Sequence, residues 1–195
     1  WNWYNVIDCF MTTVCTDREI PANPTTGAVV NDDIFNATIA QVEYQYAFIS
    51  NYNASRFAKL DMGHTIYEMR TRLQQAVDNS ADYVKFGMWS AHDTSIMPLL
   101  SALLQYEDGN LWDRRWAQYA ALVTIELYEA VTGDDLFRLT YNGKPLSLPA
   151  CSGQTLCSVN MLLDAMAFAQ DQMPCTALPV DPTPAPVVPP SNTNG

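Results

Sequence analysis

His92 and Asp93 stand side by side in FGMWSAHDTSIMPLL, residues 86–100, between two apolar runs. The chain has only two histidines, the other being His64. A histidine beside a phosphoryl group can donate a hydrogen bond to one of its oxygens. An adjacent carboxyl can act as general acid where an apolar surround or an acidic medium keeps it protonated. The bland alternative is structural, with Asp93 capping a helix and His92 packing against it.

The flanking residues say what must position this pair. DYVKFGMW, residues 82–89, is rich in β-branched and aromatic residues and too short for a helix, which predicts a buried strand. After SAHDTS, the run IMPLLSALLQYE predicts a helix capped by Thr94 or Ser95, with Pro98 in its first turn. Strand, short loop and helix is the repeating step of an α/β sheet, whose ligands sit beyond the carboxyl ends of the strands. The helix that follows would present free N–H groups, a natural seat for phosphate.

Two rival chemistries start from the same letters. Metal-dependent HD phosphohydrolases use a His, then a His-Asp pair, then a distant Asp, and His64, His92 and Asp93 stand in that order. Those ligands converge from helices, whereas the run before His92 reads as a strand. A serine hydrolase needs a Gly-x-Ser-x-Gly elbow, and the sequence has none, so Ser90 lacks the context of a nucleophile. Neither a metal nor another cofactor is expected.

Nearly half of the 195 residues are apolar, enough for a sizeable core. Ten basic against twenty-one acidic residues leave a net charge of −11. That excess argues against general binding to nucleic acid or to an anionic membrane. No apolar run is long enough to span a bilayer. The opening at Trp1, without Met or basic leader, suggests a chain that begins after a cleavage. Of five cysteines, Cys9 with Cys15 and Cys151 with Cys157 read as short disulfide loops, and Cys175 is left for a partner chain. Sequons at Asn36 and Asn53 add to an expectation of a secreted or lysosomal, oxidising compartment.

Along the chain, residues 1–33 read as irregular. Ile39, Val42, Tyr46 and Ile49 predict one helix face, and Ile66, Met69, Leu73 and Val77 a second, with His64 a polar residue in its first turn. ALVTIELYEA and LFRLTYNG alternate about VTGDD as a β-hairpin. A last amphipathic helix runs from Ser158 to about Asp171, with Val159, Leu162, Leu163 and Met166 inward. A Pro-rich tail follows.

FGMWSAHDTSIMPLLSAL resembles the C-terminal signature of the histidine acid phosphatases. YAALVTIELYE with GDDLFRLTYNGKPLSLPAC is similar to the hairpin of their prostatic and lysosomal branch. LPACSGQTLCSVNML resembles that branch's short disulfide loop, MPC at 173–175 its terminal cysteine, and VIDCFMTTVCTDREIP, more loosely, the start of its helical cap. The resemblance implies an α/β fold: the C-terminal portion of a mixed-sheet histidine-phosphatase fold, with flanking helices and part of a helical cap domain. Residues 1–80 would belong to the cap region, 81–176 to the α/β core, and 177–195 to the tail.

By the same resemblance His92 binds the phosphoryl group, Asp93 protonates the leaving alcohol, and phosphomonoesters are hydrolysed through a phosphohistidine, without a metal. The family's nucleophile sits in Arg-His-Gly-x-Arg-x-Pro, which this sequence lacks. His64, between Gly and Thr, does not stand in for it, and Arg70, Arg72, Arg114 and Arg115 match no family phosphate ligand. The resemblance therefore implies a C-terminal half, inactive alone. Its partner would be the N-terminal half, disulfide-linked through Cys175, and homodimerisation stays open. The family joins a cysteine like Cys15 to the hairpin, which has none here, so pairing with Cys9 is expected. The alternative is a non-catalytic, phosphatase-like structural or binding protein of an extracellular assembly.

Overall fold

The structure, a computed structural model, describes residues 3–81, 83–104, 115–129, 131 and 133–169. Within them, five α-helices accompany a four-stranded antiparallel sheet, a mixed α/β arrangement consistent with part of a histidine-phosphatase fold.

Helix α1 (Trp3–Cys15) packs on α2 through buried Ile7 and the tilted pair Phe10–Phe35. Helix α2 (Asp32–Asp61) starts where Asn31 Oδ1 accepts from the Ile34 N–H, with Asp32 and Asp33 in the first turn complementing the helix dipole. The predicted face is right at Val42 and Tyr46, which are buried, and turns away at Ile49, which is exposed. The helix breaks at Tyr52–Ser55, where Asn53, Ala54 and Ser55 all take positive φ. Helix α3 (Gly63–Val77) buries Ile66 and rests Met69 and Leu73 against the core.

Helix α4 (Asp93–Leu104) is the centre: every residue from Met97 to Leu104 is buried, and α2 crosses it. It starts two or three residues earlier than a cap at Thr94 or Ser95 would allow. The His92 carbonyl takes the N–H groups of Ser95 and Ile96, at 3.0 and 3.1 Å, so His92 occupies the cap position. Pro98 thus falls past the first turn, where its ring nitrogen leaves the Thr94 carbonyl without its helical donor.

Strands β1 (Val123–Glu129) and β2 (Asp135–Tyr141) pair in register from Val123↔Tyr141 to Glu129↔Asp135. Asn142 and Gly143, both at positive φ, make the tight turn into β3 (Lys144–Leu146) that an Asn-Gly pair favours. Strand β4 (Cys157–Ser158) adds to β2, and α5 (Val159–Ala165) buries Val159, Leu162 and Leu163, with Met166 just beyond also buried. Arg70 is half-buried, and its Nε donates to the Leu163 carbonyl at 3.2 Å.

On the hairpin's exposed face, Glu126 Oε2 accepts from Tyr128 Oη and Arg138 Nε, both at 2.8 Å. The Tyr128 hydrogen bond, then that of Arg138, holds the Glu126 carboxyl below its ordinary value. The same carboxylate raises the Tyr128 phenol and the Arg138 guanidinium.

Three expectations need correction. Residues 83–89 do not form a buried strand: they have no ladder pairing and bend at Lys85, and Phe86 and Met88 are 81% and 80% exposed. A strand is completed by its neighbours' N–H and C=O groups, and none of the described strands lies beside this run. Cys9 and Cys15 are free, exposed thiols, not a disulfide. Both sit on α1, whose rise and twist carry cysteines six positions apart to different faces and beyond bonding reach. Much of residues 1–33 is regular helix, not irregular chain, because Ile7 and Met11 find an apolar partner in α2. Cys151 and Cys157, 6.0 Å apart at Cα, are joined. Cys175 and the Pro-rich tail lie outside the described residues.

Candidate active site

The first turn of α4 carries the pair at the mouth of a cavity of about 310 Å³. His92 and Asp93 line it together with Asp8 and Met11 from α1, Ile96 from α4, and the segment 116–121. The His92 ring is exposed and Asp93 is half-buried. Among the described residues no Lys or Arg contributes to this lining.

Both carboxylate oxygens of Asp93 are engaged. Oδ1 accepts from the Thr94 N–H at 2.7 Å, and Oδ2 accepts from Trp116 Nε1 at 2.7 Å. A hydrogen bond to a charged group contributes about 1.5–3 kcal/mol. Trp116 is buried and held twice by α2: its backbone N–H donates to Glu43 Oε1 at 3.0 Å, and its ring meets Tyr46 edge-on, 5.3 Å between centroids. Arg115 adds an ion pair to Glu43 at 3.5 Å. Tyr46 Oη donates to the Thr94 carbonyl at 2.9 Å, supplying the donor that Pro98 lacks.

His92 and Asp93 are brought together as their adjacency requires. His64 is elsewhere, exposed in the first turn of α3, and it contributes nothing to the cavity. Among the described residues no group of three or more His, Cys, Asp or Glu could hold a metal ion, and His64 does not join His92 and Asp93 in the cavity lining. Arg72 pairs with Glu68 on α3, away from the cavity lining. Asn36 is exposed on α2, where Thr38 of its sequon donates to the Ile34 carbonyl at 2.8 Å. Asn53 is exposed in the break of the same helix.

Sequence reasoning missed Trp116, Glu43 and Asp8. The one signal at Trp116 was a large aromatic residue between Arg115 and Gln118 in an otherwise polar stretch, and nothing local linked it to Asp93, twenty-three positions earlier.

The arrangement can bind and orient. It has a carboxyl held in the lining of a cavity with an imidazole beside it, and among the described residues no Lys or Arg lines that cavity to neutralise a phosphoryl group. The chain is similar to known proteins. The chain is 24% identical to Counting factor 60 of Dictyostelium discoideum over 162 residues, which is 83% of this chain and 35% of that protein. It is 28% identical over 113 residues to lysophosphatidic acid phosphatase type 6 of Homo sapiens and of Pongo abelii, covering 56% of this chain and 25% of each. The chain thus spans about a third or less of these relatives' length. The model of the histidine phosphatase superfamily (branch 2) matches residues 2–142, a stretch that includes α1, the His92–Asp93 pair and Trp116, and the chain belongs to that family.

Proposed function

We propose that this chain supplies the proton-donor side of a phosphomonoesterase site of the acid-phosphatase type. Asp93 protonates the leaving alcohol and His92 donates to the phosphoryl group. The observation that carries this reading is the doubly held Asp93 carboxyl at the wall of the cavity beside His92.

The missing components are equally specific. Phosphoryl transfer needs a nucleophile and cations for the phosphoryl oxygens. This sequence has no Arg-His-Gly-x-Arg-x-Pro, and among the described residues the cavity lining has no basic residue beyond His92. We therefore assign those groups to a segment outside this sequence, corresponding to the N-terminal half of a prostatic- or lysosomal-type enzyme. Its sheet would pair along residues 83–89, where Val84, Phe86 and Met88 are exposed. Residues 1–80 would then belong to the cap region and 81–176 to the α/β core. A bond through Cys175, glycans on Asn36 and Asn53, and a secreted or lysosomal setting belong to the same proposal, which the Cys151–Cys157 disulfide favours.

The test is an acid-pH phosphatase assay on this chain alone and on the intact protein that contains it. Activity is expected only with the segment carrying the motif. Activity of the isolated chain, or none in an assembly that carries the motif, would sink the reading. A non-catalytic phosphatase-like component is the second reading, favoured by the motif's absence from this sequence. An intact protein without the motif and without activity would establish it.

A further inference from the structure

We propose that Trp116 is the positioning residue of the proton donor, an inference that rests on the reading of Asp93 above. Its indole N–H holds Asp93 Oδ2 and fixes the plane of the carboxyl at the cavity wall.

The Thr94 N–H holds Oδ1 through a bond between adjacent residues. One such bond leaves the carboxyl free to swing, because the terminal torsion of aspartate is broad. The second bond comes from far along the chain and removes that freedom. Trp116 can hold it because it is itself immobile, buried to 7% exposure and clamped by Glu43 and Tyr46. Tyr46 also grips the Thr94 carbonyl, so the contacts close a circuit from Asp93 to Trp116 to Tyr46 to Thr94 and back. Any displacement of the first turn of α4 strains that circuit at more than one point.

The chemistry of the donor matters as much as its place. An indole N–H donates and cannot accept, so it cannot withdraw the proton that Asp93 must deliver. Each carboxylate oxygen can accept more than one hydrogen bond, so an oxygen held by Trp116 or Thr94 retains a position for the catalytic proton. The proton passes from Asp93 to the leaving oxygen as the phosphorus–oxygen bond breaks, and Asp93 is left as the carboxylate that both N–H groups already face.

Two measurements test this. In the chain labelled with indole ¹⁵N, the Trp116 N–H resonance should move with pH as one carboxyl titrates, and that dependence should vanish in Asp93→Ala. A Trp116 resonance indifferent to pH and to Asp93→Ala overturns the inference, whatever the activity. In the intact protein, Trp116→Phe keeps the ring and removes the donor. It should lower kcat on an alkyl phosphate about tenfold, while an aryl phosphate, whose leaving group needs little protonation, changes far less. Equal losses on both substrates would mark Trp116 as merely structural and also overturn the inference. If Asp93→Ala itself shows no preference for sparing the aryl ester, the reading of Asp93 as acid fails, and the two failures are thereby told apart.

Discussion

Tyr46 Oη donates to the Thr94 carbonyl at 2.9 Å, across forty-eight positions of sequence, and closes the gap that Pro98 opens in α4. A proline in a helix interior removes one backbone donor, and a typical intramolecular hydrogen bond contributes about 0.5–1.5 kcal/mol net. The phenol on α2 meets that requirement next to the candidate proton donor.

Tyr46→Phe should therefore destabilise the chain by about 0.5–1.5 kcal/mol in denaturant titrations. In a Pro98→Ala background, where the substituted residue brings its own N–H to the Thr94 carbonyl, the same change should cost markedly less. Additive losses in this double-mutant cycle would contradict the compensation.

Asp93→Asn in the intact protein should lower turnover of alkyl phosphates on the order of a hundredfold, with a smaller effect on aryl phosphates. The asparagine keeps only one acceptor oxygen, so one of the Thr94 and Trp116 N–H groups loses its partner, and a loss of about 1–3 kcal/mol of stability is expected without unfolding. Steady-state kinetics on the two ester types, with thermal melts as control, check both halves of the statement.

Cysteine mapping by alkylation without reductant should label Cys9 and Cys15 and spare Cys151 and Cys157. Opening the Cys151–Cys157 loop by a double Ser substitution should cost about 2 kcal/mol, as expected for so short a loop. Protection of Cys9 and Cys15 would contradict their placement on α1.

Acid should loosen the hairpin through Glu126. Its carboxyl is held below the ordinary glutamate value, first by Tyr128 and then by Arg138. A carboxyl depressed on folding stabilises fully above its unfolded value, and that contribution is lost as pH falls through the folded one. Tyr128→Phe should move the Glu126 titration upward, read by carboxyl NMR, and weaken the pH dependence of stability in that acid window.

Phe86→Ser should change the stability of this chain by no more than about 0.5 kcal/mol, since the side chain is exposed. The same substitution should weaken association with the segment that completes the sheet. A pull-down titration of the two pieces checks the second half, and unaltered affinity would remove residues 83–89 from that interface.

What could be read in the sequence was whatever a few neighbouring residues settle among themselves. The periodicity of Val42 and Tyr46 marks α2, Asn142-Gly143 turns β2 into β3, alternation between Val123 and Tyr141 makes the hairpin, and Val159, Leu162 and Leu163 mark α5. The adjacency of His92 and Asp93 needed no fold at all. The run 83–89 was misread because its composition suits a strand while a strand exists only with a partner beside it.

By itself, then, the sequence determined the local elements, the His92–Asp93 pair and the family likeness, since each depends on torsional preference or side-chain pattern over short spans. Tertiary structure alone decided that Trp116 would hold Asp93, that Tyr46 would answer for Pro98, and that Cys9 and Cys15 would stay apart. Those outcomes depend on where α1 and α2 lie against α4 and the segment around Trp116. Burial of apolar surface sets that placement, and it acts on the whole core at once without direction along the chain.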